Sequence, residues 1–261
     1  SLEWSRPRNG SAAPRGDGRL SAPSGYVARR AQDTCRRVGD CRGVTDLRFA
    51  LLNASHEDAH TTRNFRRELD ATLVEFDATD GNLPPSVDPA TAGDPGAGEF
   101  DAAVVTGSAS SVYHDEPWIS SSVEWVADAA DAGLPVLGVC FGHQLLAAAL
   151  GGRVASMDGY EIGYNEVHHH ADGGLFDGID RTFTVFTTHG DAVVELPPDA
   201  TELAANEHGV QAFRAGNCWG VQFHPEYDPE TAAHVTDGKR DRLGDDRVET
   251  VLAGVTPDRY E

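Results

Sequence analysis

The stretch "LPVLGVCFGHQLLAAALGG", Leu134–Gly152, sets a short valine-rich run directly against a Leu- and Ala-rich one, with Cys140 at the junction. Valine favours an extended chain, and leucine and alanine favour a helix, here closed by Gly151 and Gly152. A strand that turns at once into a helix is the repeating unit of an α/β sheet. Gly138 and Gly142 flank the cysteine with the spacing G-x-C-x-G. They remove side chains where strand and helix must approach closely, as in the G-x-S-x-G elbow of hydrolases. A buried structural cysteine needs no such neighbours; a nucleophile on a sharp turn does. In open α/β sheets reactive groups collect beyond the C-terminal ends of the strands. The helix N-terminus there offers free N–H groups, which favour a thiolate and hold a developing oxyanion.

Upstream, the pattern alternates. "RFALLNA" reads as a strand, "TTRNFRREL" as a helix with Phe65 and Leu69 on one face, and "ATLVEFDAT" as a second strand. An acidic, Pro- and Gly-rich insertion, Asp80–Gly98, precedes a third strand, "FDAAVVTGS". "PWISSSVEWVADAADAG" reads as a helix, with Pro117 in its first turn and Gly133 at its end. After Gly152 the chain changes to closely spaced strand-like runs: "RVASM", "EIGYNEVHHH", "TFTVFTTH", "TELAANE", "VQAFRA" and "CWGVQFHPE". This order predicts an α/β fold, a three-layer open and mainly parallel sheet with helices on both faces. A strand-rich mixed or antiparallel extension is expected at one side. We place the folded domain at 44–236 and a C-terminal surface helix and tail at 237–261.

The chain has 261 residues and a net charge of −21, divided unevenly. Residues 1–43 hold nine arginines against four acids, a net of +5, and the remainder carries −26. Two readings of this basic segment stay open: a disordered leader, or sequence that is not native coding, with the protein beginning near Val44. Lys239 is the only lysine. The acidic balance argues against nucleic-acid partners, since phosphates would be repelled. No apolar run reaches the roughly 18 residues needed to cross a bilayer, and the N-terminus has no signal-like apolar core, so the cytoplasm is the expected location. Scarce lysine with abundant aspartate matches proteins of salt-loving microbes. A higher melting temperature in molar KCl than in low salt is therefore expected, and the reverse order would sink that reading.

The four cysteines, Cys35, Cys41, Cys140 and Cys218, show no CxxC pair, no zinc spacing and no disulfide framework. Cys218 precedes Trp219 in an apolar run and reads as a small buried hydrophobe. His168, His169 and His170 are adjacent on a predicted strand, where neighbours point to opposite faces, so no metal site is expected. No cofactor is implied. A cysteine nucleophile needs a proton acceptor, and the acceptor an orienter. "VQFHPEY" supplies both: strand alternation turns His224 and Glu226 to the same side, with Pro225 fixing the backbone between them. An imidazole beside a carboxylate keeps the tautomer whose free nitrogen takes the thiol proton.

"GVCFGHQLLAAALGG" together with "GVQFHPE" resembles the class I glutamine amidotransferases, over about Leu47 to Glu226. That resemblance implies Cys140 as nucleophile, His224 as base and Glu226 as orienter. The cysteine would attack the γ-amide of L-glutamine, ammonia would leave, and water would hydrolyse the γ-glutamyl thioester. It implies oxyanion donors on the backbone of Phe141 and of the loop "VVTGSASSVY", at Gly107 and Ser108. Most relatives carry two glycines and a proline where this chain has Gly107, Ser108 and Ala109; Ser108 still offers an N–H, with less freedom in φ. Gln144 matches a glutamine-binding position, and "TTHGDAV" resembles a pocket segment of the GMP synthase type, which implicates His189, Gly190 and Asp191 in binding.

No phosphate-binding loop of the G-x-x-x-x-G-K-[ST] or SGGxDS kind occurs. Use of the ammonia in synthesis would therefore require a separate ATP-dependent synthetase subunit, with GMP synthase the named candidate. "TGSASSVYHDEPWI" also resembles relatives that act as stand-alone γ-glutamyl peptidases. A non-catalytic regulatory module is the third reading, and the intact Cys140, His224 and Glu226 argue against it.

Overall fold

The computed structural model describes residues 47–56, 59–92, 98–170 and 174–256. The basic segment 1–43, with Cys35 and Cys41, lies outside the described residues, as do residues 93–97 of the acidic insertion.

The first half of the chain builds the parallel core. β1 (Arg48–Asn53), β2 (Thr72–Asp77), β3 (Ala102–Val105) and β4 (Val136–Val139) pair in parallel, connected through α1 (Ala59–Glu68) and α2 (Pro117–Ala132). Every residue of β3 and β4 is buried, which is why both read as unbroken apolar runs. α2 starts with Pro117 in its first turn and stops at Gly133, whose φ of 94° is the left-handed value a glycine adopts freely. α3 (Phe141–Ala149) follows β4 after a single residue, Cys140.

The second half completes the sheet out of chain order. β9 (Cys218–Val221) pairs in parallel with β4. β8 (Gly209–Ala215), β7 (Thr201–Asn206), β5 (Arg153–His169) and β6 (Thr182–Glu195) then continue antiparallel, giving nine strands in the order β2-β1-β3-β4-β9-β8-β7-β5-β6. The expected fold is thus present: a parallel half, a strand-rich antiparallel extension and helices on both faces. One core lies under α2 and α3, with Trp118, Ile119, Leu145 and Leu146 on Ala103, Val105 and Val136. The opposite core lies under α1, with Phe65 and Leu69 on Phe49, Leu51 and Val104.

Two sequence-level expectations are corrected. "RVASM" and "EIGYNEVHHH" are one 17-residue strand, because the residues between Ser156 and Glu161 form a bulge that shifts register without ending the pairing. The stretch 237–261, expected as one helix and a tail, holds two helices, α5 (Arg240–Leu243) and α6 (Asp245–Gly254), preceded by α4 (Pro229–Asp237). Asp228 caps α4 by accepting the Thr231 amide at 2.8 Å, and Gly244 at φ 79° separates α5 from α6. Apolar contacts among Ile162, Phe186, Ala232, Leu243 and Val251 hold these helices on β5 and β6. No described helix is long and apolar enough to cross a membrane.

Candidate active site

Cys140 has φ 54° and ψ −104°, a left-handed conformation that costs a non-glycine residue about 1–3 kcal/mol. The surroundings enforce it. The Cys140 amide donates to Val221 O at 2.8 Å, and the Gly142 amide donates to Thr106 O at 3.1 Å. A Cβ on Gly138 would lie 2.2 Å from Gly142 O, and one on Gly142 would lie 2.2 Å from Val105 O. Both glycines of G-x-C-x-G are therefore steric requirements of the turn, as their spacing predicts.

His224 and Glu226 do meet, but not by strand alternation. β9 ends at Val221, and both residues lie beyond it. Pro225 has no N–H to continue a ladder, and the His224 amide donates instead to Phe186 O of β6 at 2.9 Å. The turn that follows brings His224 Nδ1 to 2.8 Å from Glu226 Oε1, with both side chains buried. Burial alone would lower the proton affinity of His224. The Glu226 charge, followed by that of the Cys140 sulfur, outweighs it and pushes the pKa up to about 10. Tyr227 stacks on the imidazole with ring centroids 4.0 Å apart, fixing its plane.

Gly107 lies between His224 and the thiol. A Cβ there would sit 3.0 Å from His224 Cε1 and 3.7 Å from Cys140 Cβ, so the bare glycine lets both approach. In this structure the thiol points to Thr188 O at 3.8 Å. The buried Nε2 of His224 makes no hydrogen bond among the described residues. Cys140, His224, Gly107, Ser108 and Phe141 line one cleft of about 400 Å³, within the range of small-molecule sites. As the first helical residue, Phe141 has no intrahelical partner for its N–H.

The remaining predicted residues gather on the same cleft. Gln144 is buried and donates from Nε2 to Asp191 O at 3.0 Å and to Gln222 Oε1 at 3.1 Å. His189 spans Asp191 O at 2.9 Å and Glu161 Oε2 at 2.7 Å. Asp191 ties the loop after β3 to β6, accepting hydrogen bonds from the hydroxyls of Ser111 and, at 2.7 Å, Tyr113. Gly190 packs against Tyr160 and Arg242; a Cβ there would lie 2.6 Å from Arg242 Nη2.

Sequence reasoning missed Glu161, Tyr160, Lys239 and Arg242. Glu161 is buried and also accepts from Asn206 at 2.7 Å and Gln211 at 3.2 Å. Burial works to raise its pKa, but the hydrogen bond and charge of His189, with Asn206, hold it below the usual carboxylate range. Nothing in "EIGYNEV" distinguishes it from a surface acid. Lys239 alone left a signal, as the only lysine.

Cys218, His169 and His143 have packing roles. Cys218 is buried, and burial pushes its thiol up to about 11. In the histidine run, His169 stacks on Phe176, while His168 and His170 point outward to Thr182 and Glu202. His143 of "FGHQ" is fully buried and pushed down to about 3 by that burial, and it packs on Phe213.

Residues 59–237 match the family model of glutamine amidotransferase class-I. Over 168 residues, 60% of this chain, the sequence is 36% identical to a GMP synthase [glutamine-hydrolyzing] of Burkholderia vietnamiensis, and the match covers 29% of that protein. Over 99 residues, 37% of this chain, it is 42% identical to the same enzyme of Vibrio cholerae, covering 19% of it. The chain thus corresponds to less than a third of the length of these relatives. A crystal structure of a glutamine amidotransferase from Thermotoga maritima superposes with a TM-score of 0.66 at 23% identity, covering 82% of this chain and 91% of that one. A glutamine amidotransferase from Methylobacillus flagellatus gives a TM-score of 0.57 at 20% identity, covering 83% and 94%. With the family match spanning most of the folded residues and the solved structures sharing the fold, this chain belongs to the class I glutamine amidotransferase family.

Proposed function

We propose that the protein hydrolyses the γ-amide of L-glutamine at Cys140 and releases ammonia for an ATP-dependent synthetase, with GMP synthase the named candidate. The observation that carries this reading is a cysteine at φ 54° on a strand-to-helix turn, sharing a cleft with a buried His224–Glu226 pair. Cys140 Sγ attacks the γ-carbonyl carbon, and the N–H groups of Phe141 and Ser108 receive the oxyanion. His224, oriented by Glu226, takes the thiol proton and returns it to the leaving nitrogen. Water then cleaves the γ-glutamyl thioester, with His224 as base, and glutamate leaves. No cofactor takes part. The similarity to GMP synthases supports the synthetase partner.

A second reading is hydrolysis of γ-glutamyl peptides by the same residues, favoured by the peptidase-like stretch "TGSASSVYHDEPWI", whose Ser108, Ser111 and Tyr113 line the cleft. Release of ammonia and glutamate from L-glutamine, beside cleavage of γ-L-glutamylglycine in high salt, separates the two. Preferred glutamine turnover, increased by a synthetase partner, supports the first. Preferred dipeptide turnover by the chain alone replaces it with the second.

The raised proton affinity of His224 gives a pH prediction. Because the folded value of about 10 exceeds the ordinary 6.5, the pair's stabilising contribution is complete below about pH 6.5 and is lost as pH rises toward 10. Activity should therefore hold through neutral pH and fall on an alkaline limb near pH 10. Glu226→Gln should move that limb to lower pH and reduce kcat by roughly 10²–10⁴-fold. An unmoved limb in that variant would remove Glu226 from the proton transfer.

A further inference from the structure

The cleft of Cys140 contains two cations that pair with neither of the carboxylates lining it. Lys239, between α4 and α5, and Arg242, on α5, both line it. Arg242 sits with its guanidinium carbon 4.5 Å above the Tyr160 ring and Nη2 against the backbone of Gly190. Among the described residues neither side chain forms an ion pair or hydrogen bond. Arg63, Arg67, Arg153 and Arg240 each hold a carboxylate within 3 Å. The two acids of the cleft are already engaged: Glu226 with His224, and both oxygens of Asp191 with Ser111 and Tyr113.

Burial of an unpaired ammonium is unfavourable, and Lys239 shows it, its proton affinity lowered by desolvation. Arg242 is preorganised by the Tyr160 ring and by the absence of a side chain at Gly190, so its fork loses little freedom on meeting an anion. In a chain of net charge −21, these two unpaired cations are groups of the cleft that can receive an anion.

We infer that Lys239 and Arg242 form a carboxylate-binding wall of the Cys140 cleft, which takes a carboxylate carried by a γ-glutamyl substrate away from its scissile carbonyl. The inference rests on the proposed attack at a γ-glutamyl carbonyl. That carboxylate is either the α-carboxylate of the glutamyl group or one on the leaving amine. Either pairing replaces the missing counter-ion and holds the substrate at its far end. Lys239 and Arg242 are thus positioning residues: they select charged substrates and leave the bond-making to the elbow.

The test is equilibrium binding to the Cys140→Ala protein, which reads the wall without turnover. The probes are L-glutamine, L-glutamine methyl ester and γ-L-glutamylglycine, each with and without Lys239→Gln or Arg242→Gln. Loss of a charge-assisted contact should weaken binding of a carboxylate-bearing probe roughly 10–100-fold. If the α-carboxylate is held, glutamine weakens in the variants and the methyl ester, already weak, does not change. If the leaving-group carboxylate is held, only the dipeptide weakens. Lys239→Arg should restore most of the affinity, because the charge is kept. Unchanged affinity for both carboxylate-bearing probes, equal weakening of the methyl ester, or no binding of any probe overturns the inference. Failure of the hydrolytic reading would appear differently, as charge-dependent binding to Cys140→Ala with no turnover of either substrate by the wild type.

Discussion

Cys140→Ala is expected to lose at least roughly 10⁴-fold in glutamine hydrolysis, because no other group in the cleft can form the thioester. The only other described cysteine, Cys218, is buried in β9, with its thiol held protonated by a pKa of about 11. Alanine retains the Cβ and the backbone strain at φ 54°, so the melting temperature should stay close to that of the wild type. Cys140→Gly removes the same nucleophile and also the strain, since glycine tolerates positive φ. It should therefore be equally inactive and more stable than Cys140→Ala. Ammonia release and thermal melts on the three proteins check both halves. Activity surviving in Cys140→Ala would remove the cysteine from the chemistry. A glycine variant less stable than the alanine one would show that the turn is not strained.

Gly142→Ala should destabilise the fold by more than about 3 kcal/mol. Its Cβ would fall 2.2 Å from Val105 O and 2.8 Å from Val105 C, and that carbonyl belongs to β3, fixed between β1 and β4. A flexible side chain could move aside; a strand in the middle of a parallel sheet cannot. The strain would pass directly to the Cys140 turn, and activity should fall with stability. Gly254→Ala is the control, because a Cβ there meets nothing within 4 Å, and it should change stability by less than about 1 kcal/mol. Urea denaturation of both variants measures the difference. Similar midpoints would mean that α3 and β3 are less tightly packed than the 2.2 Å approach requires.

The elbow was legible in the amino-acid sequence because its causes are local. Valines before Cys140, Leu and Ala after it, and glycines two residues to either side are each dictated by the sterics of a single turn. For the same reason β1 to β4 and their helices appear close to where periodicity places them. Local pattern was less reliable wherever non-local pairing decides. The long β5 continues through its bulge because β6 pairs on both sides of it, and nothing in "MDGY" announces that. His224 and Glu226 were expected to face together along a strand, yet a turn at Pro225 and Glu226 brings them into contact, steered by Phe186 O from β6.

By itself, the sequence determined the α/β class, the turn that carries Cys140, and the cysteine, histidine and carboxylate proposed as nucleophile, base and orienter. Only the tertiary structure decided that β9 lies beside β4, which carries His224 to the cysteine across some 80 residues of chain. It also decided that Glu161 is the buried partner of His189, and that the C-terminal helices turn Lys239 and Arg242 into the cleft. The physical reason is the same in each case. A turn is chosen by the sterics of its own few residues, whereas the partner of a charge is chosen by which distant surfaces the packed sheet brings together.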